Sequence, residues 1–196
     1  MLRRQIIQNI EKQESFDFII IGGGATGLGS ALDASLRGYS VLLLEQHDFA
    51  KSTSSKSTKL AHGGVRYLEQ GDLKVVLEAL KERGRMLKNA PHLCYKQEFV
   101  LLSESYFHKL YYYLGLKVYD LLSGKYRIGK TKWLSAKKVR ELLPNASPEK
   151  YKVGGISYVD GQFNDARLAV EIGKHTVLNG GLILNYARVE KIIKNK

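Results

Sequence analysis

Phe16 to Glu45 reads FDFIIIGGGATGLGSALDASLRGYSVLLLE, a pattern of strand, glycine turn, helix and second strand in one unbroken unit. Phe18 to Ile21 form a short, continuous apolar run, the kind found in a parallel strand buried on both faces. Gly22, Gly24 and Gly27 then fall on G-x-G-x-x-G. The first glycine permits a tight turn, the second lets backbone approach a pyrophosphate, and the third lets helix pack closely on strand. The helix aims its free N–H groups at the phosphates and ends near Gly38, an expected C-cap. Val41 to Leu44 form the second strand, and Glu45 follows Gly27 by eighteen residues. That is close to the ~20-residue spacing of an acid that accepts hydrogen bonds from the adenosine ribose. Strand, helix and acid together point to a dinucleotide site; the competing reading is a glycine turn that serves packing alone.

At 196 residues with 26% charged side chains, the chain has the make-up of a folded globular protein and not of a disordered one. Its formal charge of +12 suggests an anionic partner such as a phosphorylated substrate, acidic lipid or nucleic acid, unless balancing acids lie in a further part of a longer protein. A single cysteine, Cys94, excludes an internal disulfide framework, gives no metal cluster and fits a reducing compartment. No apolar run reaches the ~18 residues of a membrane span and no secretory signal is evident, so the expected location is the cytoplasm. Residues 1–14 place Leu2, Ile6 and Ile10 at helical spacing, with Ile7, Arg3, Arg4 and Lys12 nearby. Such an amphipathic helix suits either its own domain or an anionic membrane surface.

After Glu45 the chain changes character. Gln46 to Lys59, QHDFAKSTSSKSTK, is a hydroxyl- and lysine-rich loop leaving the carboxyl end of a strand, where open α/β sheets bind ligands. Ser54, Ser55 and Lys56 are therefore candidates to meet phosphate or flavin. Leu60 to Glu69, LAHGGVRYLE, sets His62, Gly63, Gly64, Arg66 and Tyr67 in one turn, whose glycines let a ring lie against bare backbone.

Further on, the periodicity predicts a helix over Asp72 to Lys88 and a strand over Glu98 to Ser103. A helix over Tyr106 to Leu122 follows, with Phe107, Tyr111, Leu114, Val118 and Leu121 on one face; it is read as a face that packs on the domain, with a membrane interface as the alternative for its aromatics and lysines. Lys125 to Trp133 interleaves cations and aromatics, but no nucleic-acid-binding module surrounds it and no such partner is expected. A short helix capped by Ser135, a strand over Gly154 to Tyr158, a helix over Asp165 to Leu178 and a strand over Leu182 to Val189 complete the order. This order suggests discontinuous domains: a first cofactor segment over 1–93, part of a substrate domain over 94–160, and a return to the cofactor sheet over 161–196. Asp165 and Arg167 are read as a structural clamp between domains.

IGGGATGLGSALDASLRG, TSSKSTKLAHGGVRYLE, YVDGQFNDARL and LNYARV resemble the FAD-dependent glycerol-3-phosphate dehydrogenases, from Phe16 to about Ile193. The resemblance implies FAD and an FAD-binding Rossmann-like α/β fold of the glucose-oxidase and D-amino-acid-oxidase type. It further implies that this fold is truncated, with part of an α+β substrate domain, because family proteins continue well beyond this length. The implied cofactor contacts are Gly22, Gly24, Ala25, Thr26, Gly27, Glu45, Gln46, Ser54, Ser55, Lys56, Lys59, His62, Gly63 and Gly64. The implied reaction oxidises sn-glycerol 3-phosphate to dihydroxyacetone phosphate, with electrons passed to a quinone, which brings possible peripheral membrane contact. Arg66 would grip phosphate with its planar fork and Tyr67 would donate its hydroxyl. His62 would be a base or a group that orients loop or flavin. Leu28 departs from the family pattern, which has a small residue there. Two alternatives stay open: another flavoprotein oxidase of this fold acting on an amino or hydroxy acid, and a non-catalytic nucleotide-binding portion.

Overall fold

The structure, a computed structural model, describes residues 3–193, with the Arg66 side chain outside the described set, as is Leu2 of the expected N-terminal apolar stripe. In chain order the first elements are α1 (Arg3–Lys12), β1 (Phe18–Ile21), α2 (Ala25–Leu36), β2 (Val41–Leu44), β3 (Leu60–Ala61), α3 (Val65–Glu69), α4 (Leu73–Asn89) and β4 (Cys94–Leu102). There follow α5 (Tyr106–Leu122), β5 (Lys132–Leu134), α6 (Ala136–Leu142), β6 (Gly155–Phe163), α7 (Asp165–Leu178) and β7 (Leu182–Leu184). They form two compact units, one comprising residues up to Lys59 and from Asn164 onward, the other Leu60–Phe163.

The first unit is built on a parallel sheet of order β1-β2-β7. Ile20, Leu43 and Ile183 stand in one row across it and pack against α2 and α7. Central β2 is buried, but β1 is not covered on both faces as its apolar run predicts: Ile19 and Ile21 are 60% and 56% exposed. As the edge strand it turns only Ile20 into the helical layer. Leu28 is fully buried, and α7 presents Gly173 opposite it, so the larger side chain occupies space that a glycine leaves. The last strand ends at Leu184, earlier than the expected Val189, because the Tyr186 backbone turns to φ 49. The N–H groups of Tyr186 and Ala187 then return to the carbonyls of His47 and Glu45.

In the second unit β6 pairs antiparallel with β4 along all nine of its residues, and with β3 and β5 on its other edge. Both long strands exceed their predicted spans, β4 starting at Cys94 and β6 running on to Phe163, since each supplies the other's backbone partners. Residues 60–93, read from sequence with the cofactor segment, pack within this unit.

Helix α5 corrects the sequence reading. Its expected packing face is solvent-exposed, with Phe107 at 76% and Leu121 at 79%, while Lys109, Leu116 and Tyr119 are buried. The Lys109 ammonium donates to the carbonyls of Leu134 (2.7 Å) and Val153 (2.6 Å) and lies 4.0 Å from the Trp133 ring centre. Burial lowers its pKa. A cation with two carbonyls and an aromatic face can be buried, so it took the inward side that an apolar count assigned elsewhere.

Candidate functional site

The glycine turn of the first unit is a backbone device. Gly22 has φ 109, a conformation open to glycine, and its N–H donates to Leu44 O at 2.8 Å. Any Cβ on Gly27 would overlap the Gly22 carbonyl oxygen, so the start of α2 lies against the turn only because that side chain is missing. Gly23, which the motif leaves unassigned, is constrained as well, by side chains: a Cβ there would come within 2.7 Å of Phe49 and 2.9 Å of Glu45. The first helical bond is Leu28 N–H to Gly24 O. Ala25 N–H donates to Ser54 Oγ at 2.8 Å, while the N–H groups of Gly24, Thr26 and Gly27 meet no acceptor among the described residues. Unpaired N–H groups at a helix start favour an anion, both directly and through the dipole.

Glu45 closes the other side of the turn. Its carboxylate accepts Gly23 N–H at 2.6 Å and His47 N–H at 2.7 Å. Burial pushes its pKa up, but these backbone donors outweigh that and hold it below the usual carboxylate value. A carboxylate offers about four lone-pair positions, more than these backbone donors use, so it can still accept from a diol. A cavity of about 310 Å³ opens beside it, lined by Gly24, Glu45, Gln46, Lys51, Ser54 and Lys56. A second hollow, along the ends of β1 and α2, is lined by Gly22, Gly24, Ala25, Thr26, Gly27 and Ser54.

Lys59 is held elsewhere. With φ 60 it points its ammonium at Asp165 Oδ1 (2.5 Å), and Ser57 donates to Asp165 Oδ2 through its hydroxyl (2.8 Å) and N–H (3.3 Å). These donors, Lys59 first, lower the Asp165 pKa to about 2 although burial opposes them. Asp165 thus ties the serine-threonine-lysine loop to the start of α7 within the first unit. The expected partner, Arg167, is exposed, and its backbone N–H donates to Asn164 Oδ1.

In the second unit the His62–Gly64 turn rests on side chains. Gly63 N–H donates to the Tyr119 hydroxyl (2.7 Å), which donates in turn to Asp160 Oδ2 (2.9 Å). Arg83 donates to Asp160 Oδ1 (2.9 Å), to Tyr119 (3.3 Å) and to Tyr126 O (3.2 Å). Burial, and after it the Asp160 charge, raise the Tyr119 pKa, so the phenol keeps its proton. Gly64 has φ 75 and its N–H donates to His62 Nδ1 at 3.1 Å. His62 and Tyr67 are exposed, and Arg66 lies in α3 with its side chain outside the described set. Sequence reading missed Arg83, Tyr119 and Asp160. An arginine in phase with Val76 and Leu80 on α4, and an aspartate inside a strand, were the available signals.

The pattern of the FAD-dependent oxidoreductase family matches residues 17–196, and the chain belongs to that family. Within it, the chain is similar to glycerol-3-phosphate dehydrogenases. It is 42% identical over 200 residues to the mitochondrial enzyme of Saccharomyces cerevisiae, covering 98% of this chain and 31% of that one. The aerobic enzyme of Staphylococcus haemolyticus is 44% identical over 190 residues, 95% of this chain and 34% of the relative. The glycerol-3-phosphate dehydrogenase of Bacillus halodurans, determined with FAD, superposes with a TM-score of 0.71 at 33% identity over 99% of this chain and 31% of that one. The chain therefore spans about a third of the length of the relatives it matches. The residues present fit the adenosine half of FAD: N–H groups without an acceptor among the described residues at the start of α2 could take a pyrophosphate, and the Glu45 carboxylate beside a cavity could take a ribose.

Proposed function

We propose that this chain is part of an enzyme that oxidises sn-glycerol 3-phosphate to dihydroxyacetone phosphate with FAD and passes the electrons to a quinone. The observation that carries the reading is the match itself, 42% and 44% identity over nearly the whole chain to relatives of that one name. Bound FAD would supply the acceptor for the two electrons and the hydrogen leaving C2. The chain's own part is holding and aiming.

Gly22, Gly24, Ala25, Thr26 and Gly27 would take the pyrophosphate on backbone N–H groups, and Glu45 with Gln46 the ribose. Ser54, Ser55 and Lys56 would face phosphate or flavin. Lys59 would serve indirectly, since its pairing with Asp165 fixes the loop carrying the other three. His62 and the bare backbone of Gly63 and Gly64 are assigned to flavin and reacting carbon, and Arg66 and Tyr67, on the chemistry of their side chains, to the substrate phosphate. By ligand, the division remains 1–93 and 161–196 for the cofactor and 94–160 for substrate.

The location that goes with this reading is the cytoplasm, with peripheral contact at the inner face of the membrane. No helix among the described residues is long and apolar enough to cross a membrane. The exposed stripe of α5 supports such a contact better than α1, whose Arg3 is engaged by Asn185 and Tyr186 carbonyls. Sedimentation with anionic vesicles, compared with neutral ones, tests it.

The full-length protein should purify with FAD. Anaerobic sn-glycerol 3-phosphate should bleach the flavin, and a water-soluble quinone should restore it. A protein without flavin, or one bleached by an amino acid and not by glycerol 3-phosphate, overturns the reading. Arg66→Ala should impair glycerol 3-phosphate far more than glycerol, which carries no phosphate; equal losses would assign Arg66 to flavin or fold.

A further inference from the structure

We propose that Tyr119, Asp160 and Arg83 form a positioning group that locks the His62–Gly64 turn and keeps His62 as the Nε2–H tautomer, a hydrogen-bond donor to an anionic oxygen rather than a base. The inference rests on the reading above in one respect, that His62 meets substrate or flavin.

The geometry starts from proton counting. A backbone N–H can only donate, so the Gly64 N–H at 3.1 Å makes His62 Nδ1 the lone-pair nitrogen. The neutral ring then carries its proton on Nε2, and the nitrogen left free to meet a ligand is a donor. A general base at that nitrogen would need the other tautomer. The turn that imposes this arrangement is itself imposed from below. Tyr119 has one hydroxyl proton, and it goes to Asp160 Oδ2, which leaves a lone pair for Gly63 N–H. Tyr119, Arg83 and Asp160 are all at most 4% exposed, so no water competes for these bonds. Gly63 has no room for a Cβ, which would overlap Leu80 and the Tyr119 hydroxyl, so the turn lies flush on the group that bonds it. On the strand side, Ala61 pairs with Gly161, next to Asp160, and Gly161 N–H donates to Asp160 Oδ1.

Stability alone does not account for the arrangement. Arg83 Nε is buried with no acceptor among the described residues, and a buried ion pair is often no more stable than apolar side chains of the same volume. What apolar packing cannot supply is an acceptor aimed at Gly63 N–H.

The test uses the full-length holoenzyme, labelled with 15N-histidine, His62 being assigned by its absence in His62→Gln. Wild type should show His62 as the Nε2–H tautomer. Tyr119→Phe keeps the volume and removes the acceptor; it should mix the two tautomers, slow flavin reduction at saturating glycerol 3-phosphate about tenfold or more, and leave KM within about twofold. Val139→Ala, in a separate core cluster of the same unit, should lower the melting temperature and change neither readout. If Tyr119→Phe does not fold, Asp160→Asn is read by the same two measurements. An unchanged tautomer in Tyr119→Phe, kinetic losses that follow melting temperature in Val139→Ala as well, or failure of both network variants to fold overturns the proposal. If wild-type flavin is not reduced by glycerol 3-phosphate, the substrate reading fails, and the tautomer measurement still decides this one.

Discussion

The turn at Gly22–Gly27 and the turn at His62–Gly64 both use glycine, but they are held by different kinds of atoms. In the first, missing side chains let backbone meet backbone: Gly22 N–H reaches Leu44 O, Gly27 abuts the Gly22 carbonyl, and among the described residues Glu45 and Ser54 add the side-chain bonds. In the second, Gly63 is fixed by a phenol from α5, which is fixed by a carboxylate from β6 and a guanidinium from α4. A backbone device depends on a few neighbouring residue types. A side-chain device depends on where three distant segments bring their polar ends, and it is exposed to the cost of any one partner being lost.

The largest expected effect breaks the backbone device. Gly27→Ala sets a Cβ onto the Gly22 carbonyl oxygen, and neither backbone segment can move without opening the β1–α2 contact. We expect a loss of about 5 kcal/mol or more, the range in which single changes abolish folding. Denaturant midpoint and flavin content of the full-length protein would read it; a variant that retains both would mean that the turn relaxes easily.

Next comes the side-chain device. Arg83→Met leaves Asp160 buried with its charge unpaired, expected to cost about 3 to 5 kcal/mol. Replacing both, Arg83→Met with Asp160→Leu, should recover much of that in stability. Equal losses in single and double variants, measured by denaturant unfolding, would show that the pair contributes through shape alone.

These two devices also explain what was legible in the sequence. Gly22, Gly24, Gly27 and Glu45 announce themselves because each role depends on local spacing, and the parallel β1-α2-β2 unit follows from it. The edge position of β1 does not, since exposure of Ile19 and Ile21 depends on which strands flank it. On α5, the apolar repeat Phe107, Tyr111, Leu114, Val118, Leu121 gave a coherent face that the structure turns outward. The deciding partners, Leu134 O, Val153 O and Asp160, lie 25 to 44 residues away in sequence. Likewise Asp165 found Lys59 and Ser57 instead of nearby Arg167, a choice that no window around Asp165 contains.

A smaller effect sharpens the comparison through pH. The Asp165 carboxyl has its pKa lowered to about 2 by Lys59 and Ser57, below the ordinary value of 3.8. A depressed folded-state pKa stabilises at pH above the unfolded value, and that contribution is lost as pH falls from about 4 toward 2. Lys59 is half exposed, so we expect on the order of 1 to 2 kcal/mol. Asp165→Asn should flatten this part of the stability-versus-pH curve; an unchanged curve would place the acid sensitivity in other carboxylates.

The smallest prediction uses a glycine that the motif does not need. Gly29 lies in α2 two residues after Gly27, yet nothing stands within 4 Å of where its Cβ would be. Its backbone is helical, so an alanine loses no allowed conformation and removes freedom from the unfolded chain. Gly29→Ala should therefore stabilise the first unit by about 0.5 to 1 kcal/mol, with flavin content unchanged. Set beside Gly27→Ala, the same substitution two positions apart is expected to reverse sign, because one Cβ meets a carbonyl and the other meets open space. A destabilised Gly29→Ala, measured as a lower denaturant midpoint, would mean that this face of α2 is covered in the full-length protein.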